Sequence, residues 1–156
     1  MARGDDLRNL MRNVPAAVAV VTVDVHGERL GLTVASLVSL SLEPPLVGVS
    51  VSRHAALHEL LRQADEFGVN LLSGEQEGLA QHFARGVPPI GLWAGVDVRP
   101  DPGPPLLVGA LGWLRCRRVA EFEAGDHTLF TGQATLVEVG SAQTALVYVR
   151  QRYVGL

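Results

Sequence analysis

The sequence predicts a mainly β protein, an antiparallel barrel with two or three short helices. Runs of β-branched and apolar residues follow one another through short turns, as successive hairpins do. Strands and helices do not alternate regularly, as they would in a parallel sheet. The 156 residues contain no internal repeat and no linker-like stretch, so we expect a single domain over residues 1–156.

Composition excludes several classes of function. The net charge of -3 contains no block of like charge, so we expect neither nucleic acid nor a membrane surface as partner. All 13 basic residues are arginine, and without lysine a pyridoxal phosphate Schiff base and a Walker-type phosphate site are excluded. Cys116 is the only cysteine, and the polar N-terminus has no apolar stretch for an export signal. We therefore expect a cytoplasmic protein that binds a small molecule or another protein.

The first elements are a helix and a hairpin. Apolar residues recur at helical spacing between residues 7 and 14, behind two aspartates that favour a helix N-terminus. Pro15 ends this helical pattern. Residues 16–25 then form a strand candidate, and His26-Gly27 begins a turn that leads into a second strand at Leu30.

Residues 31–51 form the most informative stretch, because two strand candidates flank a segment of small residues. The first strand reaches Val34, the Pro44-Pro45 pair interrupts the chain, and the second strand covers residues 46–51. We interpret the ASLVSLS segment, residues 35–41, as a bend with free backbone amides and serine hydroxyls. A planar polar ligand can approach such a bend closely. A plain turn that uses its serines locally is the alternative interpretation.

The middle of the chain predicts two short helices and one strand. Residues 52–64 follow a helical period with Ser52 as the candidate N-cap, and residues 67–72 return to strand character. The segment from Ser73 to Gln76 has the spacing of a capping box that opens another helix. Residues 84–105, rich in glycine and proline, then form a long connection of the kind that often covers a ligand.

The C-terminal part predicts two long strands and a short one. Residues 111–123 and 128–139 are strand candidates joined by a turn with glycine and aspartate at its tip. A second turn precedes the strand candidate at residues 145–149. The predicted total is six or seven strands.

Few side chains have catalytic or ligand-binding potential. His54 and His58 are four residues apart, but a metal site needs a third ligand and a supporting shell. We therefore predict no metal and interpret these two and His82 as solvated histidines near helix ends. Cys116 lies between arginines that strand alternation points to the opposite face, so we expect a buried structural thiol. From the residues alone, His127 is most simply a turn histidine.

Five segments occur in the same order as in one known family. G-L-T-V-A-S-x-x-S-x-S-L-E-P-P-L-V, from Gly31, resembles the flavin-binding segment of the short-chain flavin reductases, which supply reduced flavin to two-component monooxygenases. GDHTLFTGQA, from Gly125, is similar to the glycine-aspartate-histidine turn and strand of that family. The other matching segments are FGVNLLSGEQEGLAQHFA from Phe67, GPPLLVGALGWLRCR from Gly103 and ALVYVRQRYVGL from Ala145.

The resemblance implies a Greek-key split barrel that binds FAD or FMN and uses NADH or NADPH as hydride donor. It implies that His127 lies near the flavin and positions the nicotinamide. Relatives hold the flavin phosphate with several hydroxyl residues, but this chain offers only Ser52, so Arg53 and the amides of His54 and Ala55 would substitute. The implied cofactor-binding residues are Thr33, Val34, Ala35, Ser36, Leu37, Val38, Ser39, Ser41, Ser52, Arg53, His54, Leu57 and His127.

The resemblance also implies partners. It predicts a homodimer with each site near the subunit interface, and a flavin-dependent monooxygenase that receives diffusible reduced flavin. Two other functions remain open at this point: a flavin-binding electron carrier or storage protein without nicotinamide turnover, and a haem- or ligand-binding split barrel. The choices between FAD and FMN and between NADH and NADPH also remain open.

Overall fold

The computed structural model describes residues 1–85 and 88–156. Within these residues the mainly β, antiparallel prediction is confirmed. The elements, in chain order, are α1 (Gly4–Met11), β1 (Ala16–Ala17), β2 (Ala19–Val25), β3 (Glu28–Val34), β4 (Val38–Leu42), β5 (Pro45–Ser52), α2 (Ala56–Gln63), β6 (Glu66–Leu71), α3 (Glu77–His82), β7 (Gly112–Ala124), β8 (His127–Val139), β9 (Leu146–Val149) and β10 (Arg152–Gly155).

The strands form two antiparallel sheets. The larger sheet has seven strands in the order β3-β2-β6-β7-β8-β5-β4, and the smaller has the order β1-β9-β10. The order of the larger sheet is not sequential, because α2 carries the chain from β5 to β6 past β8 and β7. Just after β3, the Ser36 hydroxyl bonds the backbone of Ser50 in β5. This link draws the two ends of the sheet together, as in the predicted split barrel.

Two hydrophobic clusters lie on opposite sides of β2. Val21 and Val23 point into the first cluster, with Phe67 from β6 and Phe130 from β8. Val20 points into the second cluster, which α3 and the connection after it complete. Because β2 is covered on both faces, its sequence is almost continuously apolar rather than alternating.

The predicted bend at residues 35–41 is wrong in its second half. Residues from Val38 onward form β4, which pairs with β5 and is the edge strand of the larger sheet. The alternation V-S-L-S-L in β4 is the period of two that a strand requires, and it was present in the sequence. The bend is therefore confined to Ala35, Ser36 and Leu37.

The starts of both later helices also differ from the predictions. Helix α2 has Ala55 rather than Ser52 as its N-cap, because Ser52 ends β5 and residues 53–54 form a turn after it. In the predicted capping box, the Gln76 side chain does accept a hydrogen bond from the Ser73 amide at 3.0 Å. Helix α3 nevertheless begins only at Glu77, one residue after this box.

The long connection after α3 packs against the second cluster. Leu92 is buried there, and the Trp93 indole donates a hydrogen bond to the carbonyl oxygen of Arg29. Residues 98 and 107 pair in an isolated β-bridge. The predicted connection includes residues 86 and 87, which lie outside the described residues. Among the helices of the described chain, none combines the length and apolar character needed to cross a bilayer.

Candidate functional site

A cavity of about 500 Å³ opens where β3 ends beside β5 and the start of α2. Its floor comes from the strand ends, and one side comes from the first residue of β8. The lining residues are Leu32, Thr33, Val34, Ala35, Ser36, Ser50, Val51, Ser52, His54, Ala55, Ala84 and His127. The volume lies in the range that holds a drug-sized ligand.

The bend between β3 and β4 presents three unused backbone donors. The chain leaves the β3 ladder at Val34 and enters the β4 ladder at Val38. Within the described part of the chain, the amides of Ala35, Ser36 and Leu37 have no hydrogen-bond acceptor. Because the first two of these residues line the cavity and have small side chains, their amides are accessible to a ligand.

The hydroxyl groups at this end of β3 hold the cavity wall together. The Ser36 hydroxyl donates to the Ser50 carbonyl oxygen at 2.9 Å and accepts from the Ser50 amide at 3.0 Å. The Thr33 hydroxyl donates to the carbonyl oxygen of Ala80 at 2.7 Å. We therefore assign these two hydroxyls to the scaffold, in contrast to the expectation that serine hydroxyls help to bind the ligand.

A glycine in β3 positions the opposite wall. A Cβ atom at Gly31 would lie 2.9 Å from the Phe83 ring, so only glycine lets this ring pack against the strand. The Thr33 amide also donates to the Phe83 carbonyl oxygen at 2.8 Å. These contacts place the next residue, Ala84, in the cavity lining. The first residue of the GLTVAS motif thus has a packing role that shapes the site.

The turn after β5 does not offer the amides that the sequence predicted for a phosphate. The His54 amide donates to the Ser52 hydroxyl at 3.2 Å, and the Ala55 amide donates to the Ser52 carbonyl oxygen at 3.1 Å. The Arg53 guanidinium reaches the carbonyl oxygen of Gly125 at 3.4 Å and lines a different cavity. Ligand contacts from this turn are therefore left to the Ser52 hydroxyl and the His54 ring, which line the main cavity.

His127 is the first residue of β8 and lies opposite Ser52 in the β5 ladder. Its ring Nδ1 is 2.8 Å from the Asp126 carboxylate oxygen, and its side chain is 45% exposed. The hydrogen bond from His127, together with its charge, holds the pKa of the Asp126 carboxyl below its usual range. Asp126 therefore orients the ring, and Nε2 is left for a ligand in the cavity.

The electrostatic character of the cavity suits an electron-rich ligand. Among the described residues, no carboxylate lines it, whereas two histidine rings do. Hydroxyl and amide donors complete the polar part, and the remaining lining is aliphatic. A planar ring system with carbonyl oxygens at one edge fits this distribution of donors.

His58, His82 and Cys116, which the sequence also singled out, do not line the main cavity. His58 is buried and its Nε2 is 2.7 Å from the Thr128 hydroxyl, so the prediction of a solvated histidine is wrong there. His82 is partly buried, with Nε2 2.6 Å from the Leu92 carbonyl oxygen. Among residues 1–85 and 88–156, no three histidine, cysteine or acidic side chains are placed to hold a metal. Cys116 is buried, as predicted, and burial raises the pKa of its thiol to about 12.

The structure brings together seven of the residues that the sequence singled out and separates six. The lining includes Thr33, Val34, Ala35, Ser36, Ser52, His54 and His127. Outside it lie Leu37, Val38, Ser39, Ser41, Arg53 and Leu57, the last of which is buried in the first cluster. Sequence reasoning missed Leu32, Ser50, Val51 and Ala84, and it named Ala55 only for its backbone amide. Strand alternation with Ser52 could have identified Ser50, but no local pattern pointed to Ala84.

Comparisons with known proteins find similarity over most of the chain. Residues 11–156 match the family model described as flavin reductase like domain. The chain is 35% identical over 157 residues to the reductase component of the FADH(2)-dependent resorcinol hydroxylase of Rhizobium sp. (strain MTP-10005), covering 96% of this chain and 86% of that protein. It is 35% identical over 156 residues to the NADH:FMN oxidoreductase of Rhodococcus qingshengii, covering 95% of this chain and 79% of that protein.

A solved structure is also similar over nearly the whole chain. It is the NADH:FAD oxidoreductase of Streptomyces globisporus C-1027 in complex with NAD and FAD fragments. The TM-score is 0.90 at 32% identity, covering 98% of this chain and 94% of that one.

Proposed function

Because the chain belongs to the flavin reductase-like domain family, we propose that the cavity at the end of β3 is its flavin site. The chain is an NAD(P)H:flavin oxidoreductase, the activity that its relatives carry in their names. The observation that carries the proposed site is the pair of free amides at Ala35 and Ser36, two residues that line a cavity without carboxylates among the described residues.

These amides suit the polar edge of a flavin. When a flavin and a reduced nicotinamide nucleotide are both bound, the nicotinamide C4 supplies a hydride to the flavin N5. The amides of Ala35 and Ser36 donate to the carbonyl and nitrogen acceptors of the pyrimidine edge and stabilise the negative charge that the ring gains on reduction. They need no reorganisation, because the Ser36–Ser50 link fixes the bend before a ligand binds.

His127 and His54 contact the nicotinamide and the flavin phosphate in this proposal. His127, held by Asp126, positions the nicotinamide against the ring, since it lines the cavity from β8 and its side chain is partly exposed. His54 and the Ser52 hydroxyl contact the flavin phosphate from the turn after β5. No general base is required, because the donor and acceptor rings supply the reactive atoms.

Steady-state turnover tests this function directly. We expect the purified protein to accelerate NADH or NADPH oxidation when free FAD or FMN is added, measured as loss of nicotinamide absorbance. If no pairing of flavin and nicotinamide is accelerated, the reductase function is wrong. A protein that retains flavin through gel filtration but is not bleached by NADH would instead be the electron carrier or storage protein considered above.

The reduced flavin is supplied to a flavin-dependent monooxygenase in our proposal. The resorcinol hydroxylase reductase is one relative whose name states such a partner. The His127 side chain, which lines the cavity, is 45% exposed, and a site that solvent can reach suits a flavin that leaves as a diffusible product. A cytoplasmic location suits this reaction, and the single reduced cysteine needs no oxidising compartment.

We also propose that the protein is a homodimer, with β4 at the interface. This strand forms one edge of the larger sheet, and its outward side chains Val38, Leu40 and Leu42 are exposed in the single chain. An exposed apolar sheet edge favours pairing with another chain. Because β4 follows the bend directly, an interface there lies beside the flavin site.

Light scattering after gel filtration tests the dimer. We expect wild type at twice the 16.6 kDa chain mass, and Leu42→Glu, at an 85% exposed position, at the single-chain mass. Val139→Glu is the matched control, because Val139 is 88% exposed but lies at the end of β8. A wild-type monomer would contradict the dimer, and a dimeric Leu42→Glu variant would place the interface away from β4.

A further inference from the structure

The chain on both sides of His127 is held by contacts from the turn after β5 and from α2. On the N-terminal side, the Arg53 amide donates a hydrogen bond to the carbonyl oxygen of Asp126 at 2.9 Å. The Arg53 guanidinium donates to the carbonyl oxygen of Gly125 at 3.4 Å. On the C-terminal side, the ring of His58 in α2 contacts β8. The residue that we assign to the nicotinamide therefore lies between two sets of contacts from one segment.

The contact from His58 is buried. Its ring Nε2 lies 2.7 Å from the Thr128 hydroxyl, and its ring meets the Phe130 ring edge-on, with centroids 5.5 Å apart and planes at 68°. His58 is 6% exposed and Thr128 is 3% exposed, so solvent competes little with this hydrogen bond. Because Thr128 directly follows His127, the bond ties α2 to the first buried residue of β8.

This tie lies where the ladder between β5 and β8 ends. Ser52 and His127 are the last pair of that ladder, so no further rung between these two strands restrains their ends. His54 and Ala55, which follow Ser52, line the main cavity opposite the wall that His127 provides. The segment that ends in α2 therefore connects two walls of the cavity, and the bond from His58 holds one wall against the other.

The other polar contact between α2 and the hairpin faces solvent. A second cavity, of about 390 Å³, opens between α2 and the strands β7 and β8. Arg62 of α2 lies there, 3.4 Å from the Glu59 carboxylate and 3.5 Å from that of Glu121 in β7. Since the Arg62 side chain is half exposed, these ion pairs restrain the hairpin weakly. The buried hydrogen bond from His58 is the stronger restraint.

We propose that His58 is a positioning residue for hydride transfer, which acts through Thr128 to hold His127 where its ring orients the nicotinamide. The proposal rests on the flavin reductase function and on the role of His127 in it. Neither His58 nor Thr128 lines the main cavity. Their effect therefore falls on the rate of hydride transfer and not on the affinity for the flavin.

The test is a double-mutant cycle between Thr128→Val and His127→Ala. Valine keeps the branched shape of threonine and suits a strand, but it lacks the hydroxyl group. Thr22→Val is the matched control, because the Thr22 hydroxyl is also buried, donates a 2.7 Å hydrogen bond to the Pro105 carbonyl oxygen and lies outside the main cavity. Stopped flow measures flavin bleaching by NADH, and fluorescence measures the flavin dissociation constant.

We expect Thr128→Val to slow hydride transfer by about three- to tenfold, the scale of one hydrogen bond, and to change the flavin dissociation constant by less than about twofold. The slowing should disappear in the His127→Ala background, because the ring that the bond positions is then absent. Thr128→Ser retains the hydroxyl group and should restore the wild-type rate. Thr22→Val should lower stability and leave the rate unchanged.

The proposal is overturned if Thr128→Val bleaches flavin as fast as wild type, or if it slows the reaction equally with and without the His127 ring. Equal slowing by Thr22→Val would also overturn it, because the effect would then be a general loss of stability. Should Thr128→Val not fold, His58→Asn takes its place in the cycle. Its shorter amide faces the polar second cavity, which His58 lines, but does not reach Thr128.

Failure of the positioning role differs from failure of the proposed function. If only the positioning role is wrong, wild type reduces flavin, His127→Ala is slow, and Thr128→Val equals wild type. A wild type that reduces no flavin with NADH or NADPH refutes the reductase function, and the positioning role with it.

Discussion

Replacing His127 with alanine is expected to lower kcat with NADH by about 10- to 100-fold, the scale of losing the orientation of two reacting rings. The dissociation constant of the flavin should change far less, because the free amides of Ala35 and Ser36 line the cavity from the end of β3 rather than from β8 and remain in place. Stopped-flow measurement of flavin bleaching by NADH separates the hydride step from product release.

A remote histidine provides the control for this experiment. His26 lies in the turn between β2 and β3 with a positive φ of 53°, which asparagine also tolerates, so His26→Asn should leave the rate unchanged. Asp126→Asn is the informative partner, because it removes the charge that orients the His127 ring without removing the ring. If His127→Ala bleaches flavin as fast as wild type, the assignment of His127 to nicotinamide positioning is wrong.

Replacing Gly132 with alanine is expected to destabilise the fold by about 1–3 kcal/mol, the usual cost of overpacking a core. A Cβ atom at this position in β8 would lie 2.6 Å from the Phe67 ring and 2.7 Å from the Cβ of Cys116. Both neighbours are fully buried and belong to the first hydrophobic cluster, so neither can move aside without opening a void. The midpoint of urea unfolding measures the loss.

Gly78→Ala is the matched control for Gly132→Ala. It adds the same methyl group in α3, where no atom lies within 4 Å, and should stabilise the fold by about 0.5–1 kcal/mol through helix propensity. Equal stability of Gly132→Ala and wild type would contradict the packing of β8 against Phe67 and Cys116. The result also bears on the GDHTLFTG segment, because Gly132 is its last residue.

The motif residues that the sequence singled out have separate physical roles. Gly31 and Gly132 permit close packing of rings against strands, and they act on the site only through that packing. Ala35 leaves the neighbouring amides accessible, and Ser36 closes the gap to β5. Two separate linear motifs contain these four residues, but only the contacts distinguish a ligand-binding position from a packing position.

The failed predictions for the start of α2 and for His58 share one cause. Ser52 was expected to cap α2, and the amides after it were expected to be free, because those residues suit a helix start in isolation. In the structure, the Arg53 amide instead donates a hydrogen bond to the carbonyl oxygen of Asp126 at the tip of the β7–β8 hairpin. Because this bond holds residue 53 in a turn, helix α2 begins only at Ala56. His58 is buried because Thr128 of β8 supplies its hydrogen bond. Local propensity contains no information about either partner.

The sequence alone determined the antiparallel β class, the family, the bend with its free amides and the histidine of the hairpin turn. These features depend on residue pattern and on the order of short motifs, and both are properties of neighbours in the chain. Only the tertiary structure decided that Ala84 joins the bend in one cavity, and that Arg53 and Leu57 do not. Sheet register and core packing set those contacts between residues that are distant in sequence, and no local pattern encodes them.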